Sequence, residues 1–114
     1  MNIRMLRRIS ERSSHSRNMH AAIILKGGRV LSTGYNHGQT HAEVAAIHRA
    51  TRPGGSKNLV GSTIISFMCR RRTGSIGNSK PCSSCMDAIR SQGIRRVVYY
   101  NGCDFVTVMV NQND

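Results

Sequence analysis

The chain has 114 residues, 39% of them hydrophobic, which fits one folded domain around one core and excludes wholesale disorder. No apolar run approaches the roughly 20 residues of a membrane-spanning helix, the longest covering only residues 21–25. Lys and Arg number 17 against 5 acidic residues, a formal net charge of +12, which favours a polyanionic partner or a phosphorylated substrate; a solvated basic surface is the plainer alternative.

In chain order, residues 2–12 place Ile3, Leu6 and Ile9 three apart, with Arg4, Arg7, Arg8 and Arg12 around them. This is the pattern of a short amphipathic helix, ended by Ser13-Ser14-His15-Ser16. The Arg- and Ser-rich opening, with Glu11 its single acid, also has the character of an organelle transit segment, a reading that competes with the helix. Residues 20–25 form a strand, Lys26-Gly27-Gly28-Arg29 a tight turn and residues 30–35 the hairpin partner. After the loop 36–39, Thr40 is placed as a helix N-cap with Glu43 three residues on, a capping box; Ala42, Ala45 and Ala46 give that helix a face of small residues. Pro53-Gly54-Gly55-Ser56 breaks the chain. Residues 61–69 form an apolar strand and 70–80 a polar loop. Pro81 opens a helix that Gly93 ends, and 95–100 and 105–110 are strands. The order helix, hairpin, helix, strand, helix, strand, strand predicts an α/β fold with one five-stranded mixed sheet flanked by helices.

Four cysteines are present, Cys69, Cys82, Cys85 and Cys103. No apolar signal segment precedes the domain, so a reducing, intracellular setting (cytoplasm or nucleus) is expected, where a C-x-x-C pair points to metal or redox chemistry. His41-Ala42-Glu43 opens one predicted helix and Pro81-Cys82-Ser83-Ser84-Cys85 another. Cysteines three apart project from one helix face, and a helix N-terminus favours the thiolate that binds metal. One imidazole and two thiolates give zinc three protein ligands and leave the fourth tetrahedral position to water, a catalytic arrangement. Each half alone has a simpler explanation, a redox pair or a helix cap. The two in this order, each preceded by a strand, are specific.

These residues, together with Gly34-Tyr35-Asn36 and Ser91-Gln92-Gly93-Ile94-Arg95-Arg96-Val97-Val98-Tyr99, make residues 18–101 resemble the cytidine and deoxycytidylate deaminase superfamily. The last stretch is also similar to tRNA adenosine deaminases. H-x-E followed by P-C-x-x-C is the signature of the zinc deaminases. The resemblance implies a three-layer α/β/α architecture, with Zn2+ held by His41, Cys82 and Cys85. Glu43 would carry a proton from water to the ring nitrogen and then to departing ammonia as C4 of cytosine, or C6 of adenine, is attacked. It further implies substrate contacts from the backbone N–H groups of Ala42 and Cys82, from Pro81 at the cysteine turn, and from Asn36 to the sugar. Two departures stand out. Residues 44–81 separate the motifs more widely than in many members, and the chain stops soon after its fifth strand. The terminal helices of many relatives are then missing, which would leave a thin sheet face for self-association or a partner.

Among other residues, Cys69 and Cys103 fit no ligand spacing, and Cys69 is expected to be a buried thiol. His15, His20 and His48 have no partner at motif spacing, whereas His37 lies in a loop facing the expected pocket and is a candidate substrate contact. Arg70, Arg71, Arg72 and Lys80 flank the loop before the cysteines and are candidates for phosphate or nucleic-acid contact, against a merely solvated loop. Three functions follow. The first is deamination of a cytosine nucleotide of the CMP or dCMP type. The second is deamination of cytosine, less readily adenine, within single-stranded DNA or RNA. The third is a non-catalytic, zinc-stabilised nucleic-acid-binding module, which needs a fourth protein ligand from Cys69, Cys103 or a histidine and leaves Glu43 dispensable.

Overall fold

The computed structural model describes residues 2–55 and 57–110; Ser56, the end of the expected chain break, lies outside the described residues. Eight elements follow one another: α1 (Ile3–Ser10), β1 (Asn18–Lys26), β2 (Arg29–Tyr35), α2 (Ala42–Thr51), β3 (Thr63–Arg70), α3 (Ser83–Ser91), β4 (Arg96–Tyr100) and β5 (Phe105–Met109). The strands form the expected mixed sheet in the order β2-β1-β3-β4-β5. All neighbours are antiparallel except β3 and β4, which are parallel and joined through α3.

The two-residue period of the strands sorts their side chains into two cores. Ala22 and Ile24 of β1, Ile64 of β3 and Val97 of β4 pack beneath α2 and α3, against Ala46, Ile47, Ile89 and Ile94. Their neighbours Ala21, Ile23, Ile65 and Phe67 point the other way and meet Leu6 of α1. Helices therefore cover both faces in three layers, which is why β1 and β3 read as nearly unbroken apolar runs. Leu6 and Phe67 are fully buried. Each such side chain contributes about 1.5–3 kcal/mol by leaving water.

Small residues bring α2 close to the sheet. A Cβ on Gly34 of β2 would collide with the backbone of Ala42 and Ala46. The neighbouring Ser32 hydroxyl donates to Ala46 O at 2.8 Å, fixing the helix along its length. This contact sets where the first turn of α2, carrying His41 and Glu43, lies against β3.

Three local expectations are corrected. The cap of α2 is His41, without a side-chain capping bond, and not Thr40. Thr40 instead exchanges backbone hydrogen bonds with His37, at 2.9 and 3.1 Å, and the Glu43 carboxylate turns inward to Ser66. Helix α3 starts at Ser83 with Cys82 as its cap, so Pro81 precedes the helix by more than its expected position. The stretch 70–80 is more ordered than a polar loop. Ile76 bridges Cys69, and Gly77 N–H donates to Met68 O at 3.0 Å, so its second half returns along the end of β3.

That return fills a gap in the sheet. The parallel register covers only residues 63–65 opposite 96–98. Beyond it the strands part, and Ser79 sits between them. Its hydroxyl donates to Ser66 O at 2.7 Å and accepts from Tyr100 N–H at 2.9 Å, while its own N–H donates to Tyr100 O at 2.8 Å. The opening lies at the carboxyl ends of the parallel strands, the place where α/β sheets make ligand crevices. No helix among the described residues is long and apolar enough to cross a membrane.

Candidate metal centre and active-site cavity

The starts of α2 and α3 face each other at this opening. His41 ends the loop after β2, and Cys82 and Cys85 lie on the first turn of α3, so the C-x-x-C spacing puts both sulfurs on the side facing α2. His41 Nδ1 lies 3.1 Å from Cys85 Sγ and 3.6 Å from Cys82 Sγ, and the three ligand atoms are all within 4.8 Å of one another. Atoms held about 2.0–2.3 Å from one tetrahedral ion lie about 3.5–3.8 Å apart, so the donor set and its spacing fit zinc. Among the described residues the group has these three members and no fourth. Cys69 is buried at 3.5 Å from Ser10 Oγ, and Cys103 is exposed in the β4–β5 turn. The closing ligand required by a purely structural zinc site is therefore absent from this group.

The two cysteines differ. Cys82 is exposed, and the Ser84 hydroxyl at 3.2 Å, followed by the Cys85 N–H, brings its thiol down to about 7. Burial, followed by the charges of Glu43 and Cys82, pushes the Cys85 thiol up to about 12. A coordinated cation reverses that preference, because a thiol on a metal is deprotonated outright.

A cavity of about 500 Å³ opens beside the group. Its walls come from His15 in the α1–β1 connection, His20 of β1, Asn36, Gly38, Gln39 and Thr40 of the β2–α2 loop, the residues 41–43, and Lys80 and Cys82. Glu43 is 5% exposed, and its Oε2 accepts a 3.0 Å hydrogen bond from Ser66 Oγ. Burial raises its carboxyl above the ordinary range; a bond from its own N–H, the Ser66 bond and the charge of His41 oppose the shift in smaller measure. A buried carboxyl raised in this way, next to a metal-ligand set, has the character of a general base or acid.

The structure thus brings together His41, Ala42, Glu43, Cys82, Cys85, Asn36 and Lys80. The Asn36 amide is tied to β1: Oδ1 accepts from His20 N–H at 2.8 Å and Nδ2 donates to Asn18 O at 3.1 Å. Four other candidates stand outside the cavity wall, and a fifth is buried. His37 packs its ring against Tyr35 at 5.5 Å. Arg70 reaches Ser75 Oγ, and the Arg71 guanidinium donates to the carbonyls of His15 and Ser13 at 3.1 and 2.8 Å, so both work within the fold. Arg72 is exposed, and Pro81 is buried behind the cysteines.

Sequence reasoning missed His15 and His20. His15 lines the cavity, its Nδ1 accepting from the N–H groups of Arg17 and Asn18 at 3.1 and 2.9 Å. Burial holds His20 below the usual imidazole value, and repulsion from His41 and His15 adds to that. The available signal was His20 itself, a polar residue between Met19 and Ala21 in an apolar run.

Comparison with known proteins agrees with this geometry. None of the curated proteins matches the chain in sequence. Among solved structures, the apo dCMP deaminase of cyanophage S-TIM5 superposes with a TM-score of 0.68 at 23% identity, covering 90% of this chain and 81% of that one. The same phage enzyme in complex with dCMP and dUMP gives 0.58 at 18% identity, over 82% of this chain and 71% of that one. A diaminohydroxyphosphoribosylaminopyrimidine deaminase/5-amino-6-(5-phosphoribosylamino)uracil reductase of Thermotoga maritima gives 0.60 at 22% identity, over 83% of this chain but only 27% of that longer one. At these identities the likeness establishes the fold. Residues 2–101 match the model of the cytidine and deoxycytidylate deaminase zinc-binding region. With His41, Cys82 and Cys85 positioned to hold the zinc that this region binds, the chain belongs to the cytidine and deoxycytidylate deaminase family.

Proposed function

We propose that this protein is a hydrolytic deaminase that converts cytosine, carried on a nucleotide, to uracil and ammonia. The observation that carries the reading is the buried Glu43 carboxylate, hydrogen-bonded to Ser66 and lining the cavity beside a three-ligand metal group. Bound zinc would supply the Lewis acidity that makes water nucleophilic near neutral pH. Glu43 then serves as base and acid in turn. It accepts the first proton of the attacking water as the C4–O bond forms and passes it to the ring nitrogen, then takes the second from the C4 hydroxyl and delivers it to the amino group, so that C4=O forms as the C4–N bond breaks and ammonia leaves.

The other walls bind and orient. Ala42 is the first residue of α2, where a helix leaves its N–H groups without intrahelical partners, and that N–H is available to a base carbonyl. The side chain of Asn36 is held still by β1 and retains donor capacity for the sugar. Lys80 gives the remaining wall a positive charge, His15 and His20 add imidazole rings, and Glu43 is the single carboxylate among the cavity residues. This favours a nucleotide over a neutral nucleoside.

The test is to incubate zinc-loaded protein with cytidine, CMP, dCMP, adenosine, and single-stranded DNA and RNA, following ammonia release and product mass. Uracil products from cytosine substrates, abolished in Glu43→Ala with zinc retained, are expected. Zinc-loaded protein that releases no ammonia from any cytosine substrate overturns the reading.

A further inference from the structure

A second concavity, of about 430 Å³, lies between α1 and β2, and arginine dominates it: Arg4, Arg8 and Arg12, with Thr33 opposite. Arg4 and Arg8 are four residues apart on α1, so the helix that buries Leu6 against the sheet places them on one side, and Arg12 follows in the turn just past the helix cap Glu11. All three are exposed, and among the described residues their side chains form no hydrogen bond or ion pair. Arg7 and Arg71 are different: their guanidiniums are consumed by the carbonyls of Gly74, His15 and Ser13. Like charges four apart oppose helix formation, and the nearest acid in sequence, Glu11, does not line the groove. Unpartnered cations aligned in a concave surface suit a chain of phosphates.

The groove also leads somewhere. Three residues beyond Arg12, His15 lines the catalytic cavity; three residues beyond Thr33, Asn36 lines it from the other side. Along β2 that step spans about 10 Å at ~3.3 Å per extended residue, roughly three base steps of a stacked strand. The two margins are stitched together at that point. Ser14 N–H donates to Asn36 O at 3.3 Å, and Ser14 Oγ accepts from Gly38 N–H at 3.1 Å. Aromatic residues make up only 4% of the chain, so recognition falls to backbone charge and not to a row of stacked bases.

We propose that the α1–β2 groove binds the backbone of a single-stranded nucleic acid whose target cytosine enters the cavity beside Glu43. This deepens the reading above and rests on it for the fate of the base, but not for the binding. A strand is required because a base inside a duplex is out of reach of such a cavity.

Fluorescence anisotropy with a labelled oligothymidylate, which contains no cytosine, reads the groove without turnover. The variant Arg4→Ala/Arg8→Ala/Arg12→Ala should bind at least ~10-fold more weakly. The slope of log affinity against log salt should fall in magnitude by about 2, since each single-strand phosphate contact contributes about 0.7. Alanine keeps helix propensity at exposed positions, and circular dichroism verifies the fold. Lysine at all three positions should retain most of the binding, and Arg29→Ala/Arg52→Ala, outside the groove, should change little. With a cytosine-containing oligonucleotide, the triple alanine variant should raise KM at least ~10-fold. Unchanged oligothymidylate binding, an equal loss in the Arg29/Arg52 control, or an equal KM rise for free dCMP overturns the groove. Normal loss of oligothymidylate binding, with no ammonia from any cytosine substrate in the wild type, overturns the deaminase reading instead and leaves the groove standing.

Discussion

Ser66 Oγ donates a 3.0 Å hydrogen bond to Glu43 Oε2, joining the central strand β3 to the first turn of α2 at the floor of the cavity. Ser66 is itself 1% exposed, and its carbonyl accepts from Ser79 Oγ, so the carboxylate is aimed by a chain of buried hydroxyls. The bond favours the ionised carboxylate against the desolvation that raises its pKa. Ser66→Ala should lower kcat by about 10- to 100-fold, in line with ~1.5–3 kcal/mol for a hydrogen bond to a charge, with zinc content unchanged. Losing that bond raises the Glu43 carboxyl further, so the acid limb of the kcat/KM profile should move to higher pH. A serine needed only for packing would leave that limb in place.

Glu43→Gln should reduce kcat by a factor of about 10² to 10⁴ while zinc stays bound, the range for loss of a general acid–base. Stability should move the other way. The folded protein holds this carboxyl above its unfolded value, so ionisation favours the unfolded chain. The associated stability is complete below the unfolded pKa and is lost as pH rises through the folded one. The metal-free Glu43→Gln protein should therefore melt higher than metal-free wild type at pH 7.5, and the gap should close as pH falls toward the ordinary glutamate range. Calorimetry across pH checks the sign.

Cys82→Ser and Cys85→Ser should each reduce zinc from about one per chain to near none, measured by inductively coupled plasma mass spectrometry. Because the ligands come from the starts of two different helices, chelation of wild-type zinc should also lower the melting temperature. A cysteine variant that holds full zinc at wild-type affinity would remove that residue from the ligand set.

Gly34→Ala should destabilise the protein by about 1–3 kcal/mol, the range for overpacking, because a Cβ meets the backbone of α2 and not a flexible side chain. Since α2 carries His41 and Glu43, surviving folded protein should also lose activity. Denaturant midpoints and kcat on the same samples test both effects.

Lys80→Ala should raise KM for a cytosine nucleotide several-fold while affecting cytidine less, since its ammonium lines the cavity and is not a metal ligand. Equal losses for nucleotide and nucleoside would argue against phosphate contact.

The sequence disclosed those parts of the site whose chemistry is local. His41-Ala42-Glu43 and the two cysteines could be read because ligand geometry imposes short spacings, and the succession of elements along the chain followed from short apolar runs separated by glycine-rich turns and polar loops. What it concealed depends on long-range packing. Glu43 has the spacing of a cap residue, but Ser66, 23 positions away, draws it inward. Arg71 looks like a free cation until the carbonyls of His15 and Ser13, more than 50 residues upstream, are folded against it. His15 and His20 enter the cavity only because α1, β1 and β2 converge there, and no spacing rule encodes that convergence.

Ser79 has a consequence for how this protein tolerates change in length. It locks the strand ends on both sides, to Ser66 and Tyr100, just before the chain reaches Cys82. Arg72 and Thr73, exposed at the far tip of the excursion between the anchored Arg71 and Gly74, are upstream of that lock. Extra residues inserted at the tip would bulge outward without altering the distance from Ser79 to the sulfur ligands. A single deletion between Ser79 and Cys82 would instead drag the whole start of α3 out of register with α2. Variation in loop size and constancy of the metal grip are thereby kept apart by one hydroxyl.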